Sequence, residues 1–270
     1  MNITFIGGGN MAAALIGGLL AKGFEARQIR VVEVLPEARE RLKTYYGVEC
    51  FAEAALAGPM GDVLVLAVKP QHMRSVAQNL APYIKGSLVL SIAAGIRLPD
   101  LSRWLGGTTH LARCMPNTPA LIGLGISGAY AAPAVSAAQR EQVKTILEAV
   151  GRVVWVDEEE LLDPVTAISG SGPAYVFYFI EAMQRAAESL GLPIDTARAL
   201  IIDTLRGATE LAARSEEPVH KLRERVTSKG GTTEAALICM KEKGVGDAIM
   251  RAVKAASARA TALGDELGRD

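Results

Sequence analysis

The stretch FIGGGNMA, Phe5 to Ala12, decides the fold. It completes the apolar run ITFIG and opens the Ala/Leu-rich run MAAALIGGLLAKG, so a glycine loop joins a predicted strand to a predicted helix. Gly7 and Gly9 fit the pattern G-x-G-x-x-G/A, with Ala12 in the third position. In this context the first glycine permits a tight turn, and the second lets the backbone approach a pyrophosphate at the helix N-terminus. The stretch predicts a dinucleotide-binding βαβ unit, with glycines that serve only close packing as the alternative.

The rest of the first half continues this alternation. Further strands are predicted at QIRVVEV, GVECF, DVLVLAVKP, LVLSIAAG, HLARCM, ISGAYA and VVWV, and further helices at PEARERLKTYY and SAAQREQVKTILEAVG. Continuous apolar runs of this length are typical of strands covered on both faces, hence of a parallel sheet flanked by helices. After Asp157 helical periodicity takes over. The sequence therefore predicts an α/β Rossmann-type domain with a mostly parallel sheet, residues 1–157, followed by an all-α domain, residues 158–270.

The predicted helices of the second half are apolar on more than one side. AYVFYFIEAMQRAAESLG has an apolar face that contains Phe179 and Met183, and DTARALIIDTLRGATELAAR, with Asp195 as its predicted N-cap, has an apolar surface wider than one stripe. A domain of about 110 residues cannot cover such helices by itself. The pattern predicts a homodimer that forms through the helical domain.

Composition narrows the class of protein. The 29 basic and 29 acidic residues cancel without a polybasic run, which argues against nucleic acid as a partner. No apolar run approaches the roughly 18 residues needed to span a bilayer, and we expect neither a signal peptide nor membrane attachment. Three dispersed cysteines and three isolated histidines predict reduced, buried thiols, a cytoplasmic location and no metal site.

Several strand ends carry candidate cofactor contacts, because open α/β sheets bind ligands at the carboxyl edge. Glu33 closes the second strand and can accept hydrogen bonds from an adenosine ribose, which disfavours a 2′-phosphate, although Arg39 and Arg41 could still bind one. The choice between NADH and NADPH stays open. AVKP, IAAG and MPNTP end three other strands, with a strand stop or a rigid turn as the alternative. The predicted cofactor-binding residues are Gly7, Gly9, Asn10, Met11, Glu33, Ala67, Val68, Lys69, Pro70, Ala93, Ala94, Gly95, Pro116 and Asn117.

TSKGGTT, Thr227 to Thr233, packs two glycines, a lysine and four hydroxyl residues before the apolar run AALICM. The glycines allow the chain to turn its amides toward an anion at a helix N-terminus, or the stretch is a Ser/Thr N-cap on a tight turn. ISGSGPAY, Ile168 to Tyr175, is predicted to repeat this arrangement before Pro173 begins a helix, and to line a substrate cleft between the halves. A glycine-rich helix entry that packs near the sheet is the alternative.

Six motifs in this order, GGGNMA, AVKPQ, SIAAG, CMPNTP, ISGSGPAYVF and TSKGGTT, resemble those of the Δ1-pyrroline-5-carboxylate reductase family over essentially the whole chain. The resemblance implies reduction of a cyclic imine that carries a carboxylate to L-proline with NAD(P)H, the last step of proline biosynthesis. It also implies an intertwined dimer, in some members assembled further. Members are commonly NADPH-linked, whereas here Val34 and Leu35 follow Glu33 without a basic or hydroxyl residue.

The resemblance also assigns roles to the second set of motifs. Thr233 matches the threonine that reaches the imine nitrogen, and Ser228 lies in the carboxylate loop. The implied catalytic residues are Thr233 and Ser228, and the implied substrate-binding residues are Gly230, Gly231, Thr232, Ser171, Gly172 and Glu216. The acid Glu216 lies in SEEP, which is equally consistent with a solvated turn.

Two other functions compete with this one. A β-hydroxyacid dehydrogenase would require a lysine in a G-x-x-x-K-x-x-x-N type pattern on a substrate-domain helix, and the sequence lacks it. A non-enzymatic NAD(P)-binding regulator would keep FIGGGNMA but has no need for TSKGGTT. The sequence shows no Ser-His-Asp set or paired carboxylates, which is consistent with hydride transfer, where the cofactor carries the chemistry.

Overall fold

The structure, a computed structural model, describes residues 1–84 and 86–269. It divides into two compact units, one formed by Met1–Pro173 with Ala255–Asp270 and the other by Ala174–Lys254. The first unit contains the predicted Rossmann-type domain. The predicted domain boundary after residue 157 falls inside this unit, and it remains a proposal about functional domains.

A single eight-stranded sheet organises the described part of the first unit, with the order β3-β2-β1-β4-β5-β6-β7-β8. The strands are β1 (Ile3–Ile6), β2 (Ile29–Val32), β3 (Glu49–Phe51), β4 (Val63–Leu66), β5 (Leu88–Ser91), β6 (Leu111–Met115), β7 (Gly125–Ala131) and β8 (Gly151–Trp155). Every neighbouring pair is parallel except β6 with β7. The prediction of a mostly parallel sheet is therefore confirmed. The strand order reverses between β1 and β4, the point at which such sheets bind dinucleotides.

Helices cover both faces of this sheet. Those of the first unit are α1 (Asn10–Ala21), α2 (Pro36–Tyr46), α3 (Ala54–Ala57), α4 (Pro70–Leu80), α5 (Leu98–Trp104), α6 (Ala137–Glu148) and α7 (Leu162–Val165). Within β4, Val63 and Val65 pack in one buried cluster, whereas Leu64 and Leu66 pack in the other. This alternation explains why the predicted strands are continuously apolar.

The second unit is helical. Its helices are α8 (Gly172–Ser189), α9 (Ile194–Arg214), α10 (Val219–Arg225), α11 (Thr232–Glu242) and α12 (Val245–Gly268), of which α8 begins and α12 ends in the first unit. No strand follows β8 in the described residues, as predicted. The N-cap of α9 is Pro193, and Asp195 lies in the first helical turn. The prediction that Asp195 caps this helix is therefore wrong, since its helix begins one residue earlier.

The second unit buries little apolar surface. Of its described residues only Ala187, Ala197 and Ile201 are buried apolar side chains. Phe179 and Met183, which were predicted to lie on an apolar face, are 44% and 36% exposed. A helical unit that leaves such faces open requires further cover.

The cysteines differ in their surroundings. Cys114 is buried, Cys50 is half-buried and Cys239 is exposed, and no disulfide joins them. The prediction of buried thiols therefore holds for Cys114 alone. None of the helices in the described ranges is long and apolar enough to cross a membrane.

Candidate functional site

The glycine loop between β1 and α1 has the geometry of a phosphate cradle. Gly7 has φ +97°, and a Cβ placed on it would lie 2.7 Å from the carbonyl oxygen of Ala67. Gly9 has φ −69°, and within the described chain nothing lies within 4 Å of where its Cβ would be. The start of α1 at Asn10 receives no side-chain cap from the residues that the structure covers. These residues fit the pyrophosphate of a dinucleotide, because uncapped amides at a helix start bind anions.

A cavity of about 670 Å³ opens beside this loop, within the size range of cofactor sites. Of the predicted cofactor-binding residues, it is lined by Gly7, Gly9, Glu33, Ala67, Val68 and Lys69. The cavity therefore brings together the ends of β1, β2 and β4, as the predicted sheet edge required.

The cavity also has walls that sequence reasoning missed. They are Ala52, Glu53 and Ala54 after β3, and His72, Ser75, Val76 and Asn79 on α4. The missed signal is the proline after Lys69. It marks the end of a strand, but proline is also favoured in the first turn of a helix, and α4 begins at Pro70.

The Glu33 carboxylate is fixed at the rim of this cavity by backbone amides. Its Oε2 accepts from the N–H of Gly8 at 2.7 Å, and its Oε1 accepts from the N–H of Leu35 at 2.9 Å. Arg39 donates from Nη1 to the carbonyls of Glu33 and Val34 at 2.7 and 2.9 Å. The guanidinium is thereby tied to the strand end. The Glu33 carboxylate is thus fixed in place, and its neighbours Val34 and Leu35 expose apolar side chains that cannot bind a phosphate. This arrangement favours ribose hydroxyls over a 2′-phosphate.

The loops after β5 and β6 do not line the cavity. Ala93 and Gly95 are buried, and a Cβ on Gly95 would lie 3.2 Å from Cδ1 of Leu267 on α12. Pro116 is also buried, and Oδ1 of Asn117 accepts from the N–H of Ile126 at 3.0 Å. The cofactor contacts predicted for these two loops, and for Asn10, Met11 and Pro70, stay predictions.

The segment ISGSGPAY is helical from its first residue. Thr166–Gly170 forms a π-helical turn that leads into α8, and the N–H of Ser171 donates to the carbonyl of Thr166 at 2.8 Å. The Ser171 amide is therefore engaged in a helical hydrogen bond and is not free for an anion, whereas the predicted role of the stretch in a substrate cleft stays a prediction. A Cβ on Gly170 would lie 2.6 Å from Cε of Met115, so the turn packs against the start of the MPNTP loop. π-turns of this kind are frequent at functional sites.

The TSKGGTT loop turns into α11 through its two glycines. Gly230 has φ +74°, and its N–H donates to Oε2 of Glu234 at 2.6 Å. The N–H of Gly231 donates to the carbonyl of Ser228 at 3.0 Å. The amides of Gly230 and Gly231 are therefore engaged within the loop. The structure narrows the predicted anion site to the amides that follow them.

These following amides open α11. Gly231 is its N-cap, and no side chain in the described ranges caps the helix, so the alternative of a Ser/Thr N-cap is wrong. The N–H groups of Thr232, Thr233 and Glu234 lie in the first turn of α11, where the helix provides no carbonyl acceptor for them. They are therefore open to an anion. Thr233 is half-buried, and its hydroxyl has no hydrogen-bond partner among the described residues. The arrangement can bind a carboxylate and donate one further hydrogen bond.

The remaining substrate candidates are distributed over both units. Ser171 and Gly172 belong to the first unit, where they follow the π-turn. Glu216 belongs to the second unit and is exposed in the turn before α10. Their roles toward a substrate stay predictions.

Comparisons with known proteins agree with both halves of this description. A family model for pyrroline-5-carboxylate reductase dimerisation matches residues 159–263, and one for NADP oxidoreductase, coenzyme F420-dependent, matches residues 2–95. The pyrroline-5-carboxylate reductase of Pseudomonas aeruginosa is 47% identical over 268 residues, which cover 99% of this chain and 98% of that protein.

Two solved structures share the whole fold. The pyrroline-5-carboxylate reductase of Coxiella burnetii has 39% identity and a TM-score of 0.91, covering 97% of this chain and 98% of that one. The pyrroline carboxylate reductase of Plasmodium falciparum, solved with NADP bound, has 28% identity and a TM-score of 0.88, covering 98% of each chain. Together with the full-length relative from Pseudomonas aeruginosa, they show that this chain belongs to the pyrroline-5-carboxylate reductase family.

Proposed function

We propose that the chain reduces Δ1-pyrroline-5-carboxylate to L-proline, with NAD(P)H as the hydride donor. The observation that carries the proposal is the uncapped start of α11, at Thr232, beside a Thr233 hydroxyl that has no partner among the described residues. A member of this family requires such a site, because its substrate is an anion with one basic nitrogen. The NADP-bound relative from Plasmodium falciparum supports the cofactor class.

Each unit contributes separate chemistry. When bound, NAD(P)H supplies the hydride. In the first unit, the uncapped amides of α1 and the open space at Gly9 hold the pyrophosphate. In the second unit, the amides of Thr232 and Thr233 hold the substrate carboxylate at the positive end of the α11 dipole. The Thr233 hydroxyl orients the imine: it donates to the ring nitrogen of the neutral imine and accepts from the N–H of the protonated form. The held carboxylate favours this protonated form, the better hydride acceptor.

NADH serves at least as well as NADPH in this proposal. The Glu33 carboxylate already accepts two backbone N–H groups, so it is held where the second strand ends. A 2′-phosphate placed there would face a fixed negative charge, and Arg39 is tied to the strand-end carbonyls.

The second unit associates with a second copy. With three buried apolar side chains in its described residues, it resembles one side of an obligate interface more than a separate domain. Light scattering coupled to gel filtration should give at least twice the 28.5 kDa chain mass. A stable, active species at the monomer mass contradicts this assembly. The same measurement tests for a larger oligomer, and cell fractionation tests the predicted cytoplasmic location.

The test of the activity is oxidation of NADH and of NADPH by Δ1-pyrroline-5-carboxylate, measured side by side. Thr233→Ala should lower kcat/KM for the imine about 10- to 150-fold, the effect of one hydrogen bond to a charged group. Thr233→Ser should recover most of the loss because it keeps the hydroxyl. Binding of NADH should not change, since the first unit is untouched.

Two results contradict the proposal. One is the absence of turnover in wild-type protein that binds NADH, as expected of a non-enzymatic regulator. The other is a Thr233→Ala variant with a lowered melting temperature and near-wild-type kcat/KM, which would reduce Thr233 to a structural role.

A further inference from the structure

A cluster of charges lies inside the first unit, away from the cavity beside the glycine loop. It consists of Arg97, Arg113, Glu159 and Asp163. Arg113 is 3% exposed and Asp163 is 5% exposed. The two guanidinium groups and the two carboxylates of this cluster balance in charge, and a third carboxylate, that of Asp265, approaches Arg97 from the solvent side. The four residues come from the β5–α5 loop, β6 and the segment after β8, so the cluster joins parts of the chain that are distant in sequence.

The two carboxylates hold both arginines and one backbone amide. Nη1 of Arg113 lies 3.0 Å from Oε1 of Glu159, which also accepts from the N–H of Leu98 at 2.8 Å. Nη2 of Arg97 lies 3.2 Å from Oδ2 of Asp163, and Nη2 of Arg113 lies 4.0 Å from its Oδ1. Asp163 therefore lies between the two guanidinium groups and is the centre of the cluster.

The end of α12 completes the cluster. Thr261 donates from its hydroxyl to Oδ2 of Asp163 at 2.9 Å. A Cβ on Gly264 would lie 3.0 Å from Nε of Arg97, so the helix backbone packs directly on this guanidinium. Leu267 of the same helix covers Gly95. One helix face thus contacts both the charge cluster and the loop after β5.

The cluster adjoins two strand ends that share one half of the sheet. Arg97 lies two residues after Gly95, and Arg113 lies three residues before Pro116. The glycine loop follows β1 and Glu33 follows β2. These two strands belong to the half of the sheet that binds the adenosine part of a dinucleotide. The strands β5 and β6 lie beyond the order reversal and therefore belong to the half that takes the nicotinamide part.

We propose that Asp163 is a positioning residue for the nicotinamide half of the cofactor site. It acts through Arg97 and Arg113, which fix the loops after β5 and β6 in the geometry that the nicotinamide requires. The π-turn Thr166–Gly170 begins three residues after Asp163 and packs on Met115, which extends the same support to the MPNTP loop. The inference rests on the proposed function, since it assumes that a nicotinamide cofactor binds at this edge.

The experiment compares two ligands on one variant. NADH contains the nicotinamide, whereas ADP-ribose contains only the adenosine, pyrophosphate and ribose parts. Asp163→Asn keeps the shape of the side chain and removes its charge. We expect the variant to bind NADH about 2- to 30-fold more weakly, the size of effects that pass through packed networks. Its affinity for ADP-ribose should stay within about 2-fold of wild type, since no coupling is expected there. Fluorescence titration follows NADH, and calorimetry follows ADP-ribose.

Asp265→Asn is the matched control. Asp265 lies on the same helix face, 3.9 Å from Nη2 of Arg97, but 62% of its side chain is exposed. The same chemical change should therefore leave both affinities unchanged. If Asp163→Asn does not fold, Thr261→Val provides a second test. It removes the hydrogen bond from Thr261 to the Asp163 carboxylate and retains every charge of the cluster. It should weaken NADH binding alone, about 2- to 30-fold, because its effect also passes through the packed network.

Each outcome distinguishes a positioning role of Asp163 toward the nicotinamide from a purely structural role. Equal loss of NADH and ADP-ribose affinity in the folded variant, or no loss of either, overturns the positioning role. So does a Thr261→Val variant that is less stable but binds NADH like wild type. Wild-type protein that binds neither ligand contradicts the proposed function itself, and the inference with it. Wild-type binding without the selective loss contradicts the inference alone.

Discussion

Replacing Gly9 with alanine should affect the stability of the fold and the affinity for the cofactor in different ways. The backbone at Gly9 has φ −69° and ψ −176°, which alanine adopts without strain. Nothing in the described chain lies within 4 Å of the added methyl. Alanine also lowers the conformational entropy of the unfolded chain, which stabilises the fold by about 0.4–1 kcal/mol. We expect the melting temperature to stay level or rise by about 1–4 °C.

Cofactor affinity should respond in the opposite direction. The methyl occupies the space through which a pyrophosphate approaches the first amides of α1. Losing one hydrogen bond to a charged group costs about 1.5–3 kcal/mol, or about 10- to 150-fold in Kd. NADH and ADP-ribose should lose equally, because both carry the pyrophosphate. Calorimetric titration and a thermal melt on the same sample measure the two effects.

Gly7→Ala is the contrasting variant. Its positive φ of +97° disfavours alanine by about 1–2 kcal/mol. In addition, the new Cβ would lie 2.7 Å from a backbone oxygen that cannot easily move. This variant should lose stability as well as affinity. A Gly9→Ala protein that binds NADH like wild type, or that melts well below it, would refute the assignment of the loop as a pyrophosphate site.

Three further outcomes follow from contacts around the cavity and the core. Glu33→Ala should raise the ratio of kcat/KM for NADPH to kcat/KM for NADH by the equivalent of about 1–2 kcal/mol, because one fixed negative charge is removed from a partly solvated site. An unchanged ratio would contradict the role of Glu33 in binding the ribose. Arg39→Gln should weaken the binding of NADH and NADPH equally, because the Arg39 guanidinium hydrogen-bonds the backbone carbonyls where the second strand ends. A loss of affinity for NADPH alone would show that Arg39 binds the 2′-phosphate. The Cys114 thiol should resist an aromatic disulfide reagent up to pH 9, because burial raises its pKa far above the ordinary value and only the thiolate reacts. A Cys50→Ser/Cys239→Ser protein isolates this thiol, and reaction before unfolding would contradict the prediction.

The parts of the fold that local patterns encode could be predicted from the sequence. The glycine loop and Glu33 follow from one βαβ unit, because a strand end, a turn and a helix start are neighbours in the chain. The start of α4 could not be separated from a strand stop, since Pro70 is compatible with both. The cap of α9 was misplaced because Asp195 is equally suited to the first turn, where a carboxylate also favours the helix dipole.

The charge cluster could not be predicted, for a different reason. Asp163 meets Arg97 across 66 positions and Thr261 across 98, and each partner alone resembles a solvated surface residue. The same holds for the amides of α11. The loop TSKGGTT indicates an anion site, but only the structure shows that Glu234 and Ser228 engage the two glycine amides. Hydrogen bonds of this kind depend on side-chain directions that sequence spacing does not fix.

The discontinuity of the first unit has a consequence for the order in which the protein folds. Residues 174–254 form the second unit, so 81 residues must be synthesised between the two parts of the first. At about 5–20 residues per second, this is a delay of about 4–16 s. During that interval Asp163 lacks Thr261, and Gly95 lacks its cover by Leu267. The nascent sheet can pair its strands early, but the loops after β5 and β6 gain their final support only when the last helix arrives.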